Sequence, residues 1–128
     1  MIVLDASAIL AVILKEPGAD RVEATFGQAI ISAGTLAEVL TKTHQRGLDI
    51  EGSYKRIVNF GIGVVPVTAM QARIAAEASR APRKFNLSLG DRLCIALAIS
   101  LNCELLTSDG GFWNSRREFL SHASDRHG

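Results

Sequence analysis

Four acidic residues stand where carboxylates can do chemistry. Asp5 directly follows the apolar run Ile2-Val3-Leu4, and Asp109 closes the segment Glu104-Leu-Leu-Thr-Ser-Asp109. An ionised carboxylate at the end of a buried strand is costly alone and calls for a partner. Glu38 and Asp91 also have a simpler use, because Thr35-Leu-Ala-Glu38 and Ser88-Leu-Gly-Asp91 read as capping boxes and an acid in a first helical turn is favoured by the helix dipole. Taken together, four carboxylates around one crevice repel unless a hard cation neutralises them. Oxygen-only donors suit Mg²⁺ or Mn²⁺ rather than zinc, so a divalent metal site is the expectation.

To gather these acids the chain must alternate strands and helices. Ile2 to Leu4 reads as a buried strand, after which Ser7 caps a helix through Leu14 that Lys15-Glu-Pro-Gly18 ends. A helix fits Ala19 to Phe26, and a strand fits Gln28 to Ser32, stopped by Gly34. Thr35 to Arg46 and Ile50 to Phe60 are helical, and Val64-Val-Pro-Val67 is a strand suited to a sheet edge by its proline. Thr68 to Arg80 is an Ala-rich helix, and after a basic loop Ser88 opens an apolar helix to Asn102. Glu104 to Thr107 is a fourth strand, and Trp113 to Leu120 reads as a last helix. This alternation predicts an α/β fold of three layers, α/β/α, around a parallel sheet of four or five strands. In such a sheet the strand C-termini and helix N-termini share one edge, where ligands bind, and all four acids fall on it.

Composition narrows the rest. At 128 residues the chain reads as a single domain, 1–128, with the polar, aperiodic stretch 121–128 a loose tail. Apolar residues make up 48% and charged ones 21%, a globular balance. A net charge of +1 excludes a chain-wide basic field, and seven aromatics exclude a platform of stacked bases. The two cysteines are too few for a disulfide framework, and His44, His122 and His127 share no ligand spacing with an acid. The apolar N-terminal run lacks a basic flank, contains Asp5 and is too short to span a bilayer. No membrane association and a cytoplasmic location are expected.

The segments Val3-Leu-Asp-Ala-Ser-Ala8, Leu36-Ala-Glu-Val39, Leu87-Ser-Leu-Gly-Asp-Arg92 and Leu106-Thr-Ser-Asp109 resemble the four acidic motifs of PIN domains, specifically the VapC toxins of bacterial toxin–antitoxin pairs. The resemblance implies that Asp5, Glu38, Asp91 and Asp109 are the catalytic, metal-holding acids and that Ser7 supplies a hydroxyl orienting the site. It implies an endoribonuclease using Mg²⁺ or Mn²⁺, working as a homodimer and neutralised by a cognate VapB-like antitoxin. The ion would activate water and stabilise the leaving oxygen, with a 5′-phosphate and a 3′-hydroxyl as products. Arg83, Lys84 and Arg92, with Lys42 and Arg46, are candidates to position RNA phosphates. The sequence departs from the family in two respects: residues 115–127 offer no β-branched fifth strand, and Gly110-Gly111 after Asp109 suits a mobile loop better than a helix.

Two other readings stand beside this one. Asp5 could serve as the nucleophile of a haloacid-dehalogenase-like phosphatase, but that chemistry needs a second Asp where Ser7 stands. A catalytically silent partner that sequesters a regulator would have no need of four crowded acids.

Overall fold

Among the described residues five short strands form one sheet: β1 (Ile2–Leu4), β2 (Ala29–Ser32), β3 (Gly63–Val65), β4 (Glu104–Leu106) and β5 (Phe112–Asn114). The computed structural model describes residues 1–83, 86–108 and the strand Phe112–Asn114. Lys84, Asp109, the expected helix beyond Asn114 and the 121–128 tail lie outside the described residues. The strand order is β3-β2-β1-β4-β5, with the first four parallel and β5 antiparallel to β4.

Around the sheet lie α1 (Ala6–Ile13), α2 (Ala19–Glu23), α3 (Ala33–Gln45), α4 (Ile50–Asn59), α5 (Ala69–Ala78) and α6 (Leu89–Leu101). Alternation along each strand sends neighbouring side chains to opposite faces. Leu4, Ile31 and Leu106 pack with Ile9, Val22, Val39 and Ile57 from α1 to α4, while Val3, Ile30 and Leu105 pack with Cys94, Leu97 and Ala98 of α6. The result is the expected three-layer α/β fold. Among the described residues no helix is long and apolar enough to cross a membrane.

Several local boundaries differ from the sequence expectations, three of them with a clear physical cause; α2 also ends at Glu23 rather than Phe26, and β3 ends at Val65, short of Pro66. The N-cap of α1 is Asp5 rather than Ser7, since the Asp5 carboxylate accepts from Ala8 N at 2.9 Å. The helix α3 starts at Ala33, straight out of β2, with buried Ser32 as its cap. Glu38 therefore lies in the second turn of α3, and Thr35 to Glu38 is no capping box. Gly34 does not stop the strand; it makes room for α6, because a Cβ there would sit 2.6 Å from Leu93 Cδ1. Finally, Trp113 lies in β5, paired with Leu105, rather than at the start of a helix. Only residues 107–111 separate β4 from β5, enough for an antiparallel return but not for the crossover a parallel strand needs.

Candidate functional site

The strand order turns back between β1 and β4: the chain steps outward from β1 to β2 to β3, then returns to the other side of β1 with β4. Such switch points open a crevice beyond the strand C-termini. Asp5 marks it, because its N–H donates to Leu106 O at 3.3 Å as the last rung between the two strands.

The Asp5 carboxylate is held by one oxygen. Oδ1 accepts from Ser7 Oγ at 2.7 Å and from Ala8 N at 2.9 Å. Ser7 Oγ in turn accepts from Ser108 N at 3.2 Å, which ties the start of α1 to the chain just ahead of Asp109. Burial pushes the Asp5 carboxyl above its ordinary value, against the Ser7 and Ala8 hydrogen bonds that favour the charged form; the negative charges of Asp91 and Glu38 push the same way as burial. Three of the four expected acids thus share one electrostatic environment, although β1, α3 and α6 deliver them separately.

Each of the other two is tied to a partner of its own. Asp91 completes the capping box of α6, with Ser88 N donating to Asp91 Oδ2 at 2.8 Å and Asp91 N to Ser88 Oγ at 3.1 Å. Glu38 Oε2 pairs with Lys42 Nζ at 2.9 Å, one turn along α3. Its other oxygen, Oε1, lies against the α-carbon of Gly90, in the space a Cβ would occupy. Beneath the acids, buried Cys94 donates from Sγ to Leu4 O at 3.5 Å. Burial and then the Asp5 charge drive its thiol well above the usual range, with Asp91 and Glu38 adding to the rise against a bond from Thr35. Cys94 is therefore a neutral floor to the site rather than a nucleophile.

These residues suit a divalent ion in donor chemistry: all are carboxylates, and each keeps one oxygen outside the hydrogen bonds and ion pair just described. As the side chains stand, no three His, Cys, Asp or Glu among the described residues form a group able to hold an ion.

The basic candidates separate. Arg83 and Arg92 meet in a cleft of about 310 Å³ between the end of α5 and the start of α6, lined also by Ser79 and Asn86. There Arg92 Nη1 donates to Ala75 O at 3.2 Å, so this side chain also fastens α6 to α5. Lys42 is engaged by Glu38. Arg46 caps the far end of α3, about 12 Å along the axis from Glu38 at 1.5 Å per residue. Gly90 stands inside the segment Leu87-Ser-Leu-Gly-Asp-Arg92 and Cys94 outside any motif; neither is marked as a site residue by its type, and only the small residue between Leu89 and Asp91 hints that something approaches closely.

The PIN domain family model matches residues 2–116. Among curated proteins, none matches the sequence. Similar solved structures include VapC20 from Mycobacterium tuberculosis, a sarcin-ricin loop cleaving toxin, with 16% identity and a TM-score of 0.70 over 89% of this chain and 98% of that one. FitAcB from Neisseria gonorrhoeae is similar at 21% identity and a TM-score of 0.61, covering 91% of this chain and 94% of that one. A toxin–antitoxin complex from Klebsiella pneumoniae shares 19% identity at a TM-score of 0.60, over 84% of this chain and 85% of that one.

Proposed function

Because the chain belongs to the PIN domain family, we propose that it is a metal-dependent endoribonuclease toxin, hydrolysing RNA phosphodiester bonds and neutralised by a cognate antitoxin. The observation that carries this reading is that the charges of Asp91 and Glu38, carried on two other elements, both bear on Asp5 at the switch point between β1 and β4. The solved toxins and toxin–antitoxin complexes of the same fold support the class of activity and of partner.

In this reading Asp5, Glu38, Asp91 and Asp109 hold Mg²⁺ or Mn²⁺. When bound, the ion supplies polarisation of a phosphate oxygen and a bound water of lowered pKa. Asp5 acts through the oxygen that Ser7 and Ala8 leave uncommitted. Ser7 orients Asp5 and, through Ser108 N, sets the path of the chain toward Asp109. Arg83 and Arg92 line a cleft beside the start of α6, and these two arginines and Lys84 position RNA phosphates; contacts of this kind set register rather than sequence. A phosphatase with Asp5 as nucleophile has no support, since the position of the required second acid is filled by Ser7.

The protein works in the cytoplasm as a single domain, two copies pairing as a homodimer. Ile50, Tyr54 and Val58, one turn apart along α4 and all exposed, form an apolar strip that such pairing would cover. Incubating a folded RNA and a simple phosphomonoester with the protein, in Mg²⁺ and in EDTA, tests the activity. RNA cut only in Mg²⁺, leaving 5′-phosphates, is expected. RNA cleavage in EDTA, or hydrolysis of the monoester, overturns the reading.

A further inference from the structure

The Glu38 carboxylate is fixed from two sides. Lys42 holds Oε2 from within α3, and Oε1 lies where the Cβ of any residue other than glycine at position 90 would be. A Cβ at Gly90 would also come within 3.1 Å of Glu38 Cδ. No backbone atom of another element is among these close contacts, so the pressure falls on the end of a flexible side chain. Gly34 shows the same seam from the other side, since its missing Cβ admits Leu93 of α6. The N-terminal turns of α3 and α6 therefore approach each other through a glycine on each helix.

We propose that Gly90 is a positioning residue for the metal-holding acids: its missing side chain lets the Glu38 carboxylate close onto α6 beside Asp91. This rests on the metal-site reading above. Gly90 is not required for the backbone of α6, which an alanine suits better. A methyl group at this place turns Glu38 away from its neighbours and leaves the fold in place. Support of this kind around a ligand typically governs metal affinity by about 10–100-fold.

The test uses metal-free wild type, Gly90→Ala, Glu38→Asp, the double variant and Asp5→Asn, with Mg²⁺ binding followed by calorimetry and melting followed in EDTA. Gly90→Ala is expected to melt in EDTA at or above the wild-type temperature and to bind Mg²⁺ about tenfold more weakly. Glu38→Asp is one methylene shorter and withdraws the carboxylate from the added methyl. Gly90→Ala should therefore cost the Glu38→Asp protein much less affinity than it costs wild type. Equal Mg²⁺ affinity in Gly90→Ala and wild type, an undiminished loss in the double variant, or a Gly90→Ala protein that does not fold overturns the proposal. If Asp5→Asn weakens binding while Gly90→Ala does not, only the role of Gly90 falls. If wild type binds no Mg²⁺, or Asp5→Asn binds as wild type does, the metal-site reading falls and takes this proposal with it.

Discussion

At the scale of single residues, Asp5 does two jobs that one substitution can separate. Its carboxylate oxygen caps α1 and its charge faces those of Asp91 and Glu38. Asparagine caps a helix about as well as aspartate, so Asp5→Asn keeps the acceptor and removes the charge. Folding raises the Asp5 pKa, so in the region above the ordinary value of 3.8 the native state binds more protons than the unfolded chain, and metal-free wild type loses stability as pH rises through it. Metal-free melting curves should therefore place Asp5→Asn at or above wild type at neutral pH, with its advantage shrinking as pH falls through that region. RNA cleavage should drop by about a hundredfold or more, because a ligand to the ion is lost. The thermal gain on adding Mg²⁺ should shrink as well. A large drop in melting temperature, the same in EDTA and Mg²⁺, would leave Asp5 a cap and nothing more. The sequence made Asp5 and Asp91 legible as site candidates because a strand end and a capping box are local patterns. It hid Gly90 because the atom that glycine accommodates belongs to a residue 52 positions earlier.

At the scale of elements, α6 joins the site to the core. Its first turn carries Asp91 in a capping box, and its buried face, from Cys94 to Ala98, covers one side of the sheet. Ser88→Ala removes the cap and should cost about 1 kcal/mol in denaturant unfolding. It should also loosen Asp91 and raise the Mg²⁺ needed for half-maximal cleavage; a variant that loses stability with unchanged Mg²⁺ dependence would separate the cap from the site. The positions of most helices were readable from apolar periodicity and caps. The start of α3 was not, because Ala33-Gly34 resembles a strand stop when the chain is considered alone. It becomes a helix because Ser32 caps it and α6 needs the space above Gly34. The antiparallel β5 was equally hidden, since its pairing with β4 depends on connection length rather than on residue type.

At the scale of the whole molecule, two apolar clusters on either side of the sheet hold the crevice open at its edge. Leu97 is fully buried in the cluster that packs α6 against β1, β2 and β4, so Leu97→Ala should cost about 2–5 kcal/mol in urea unfolding. A smaller loss would mean that α6 can settle into the gap. The family match ends at residue 116, and removal of residues 121–128 should leave both melting temperature and RNA cleavage unchanged; a fall in either would give the tail a structural part. The strand order has a consequence in time. β1 is made first, yet one of its two neighbours is β4, in the register Ile2↔Glu104 to Leu4↔Leu106. At ~5–20 residues per second of synthesis, β1 waits on the order of ten seconds for that partner, with its apolar edge unpaired. Ser7 and Ser108 meet only when this last parallel pairing closes, so the crevice is finished only after β4 is made and a nascent chain that lacks β4 cannot cut RNA.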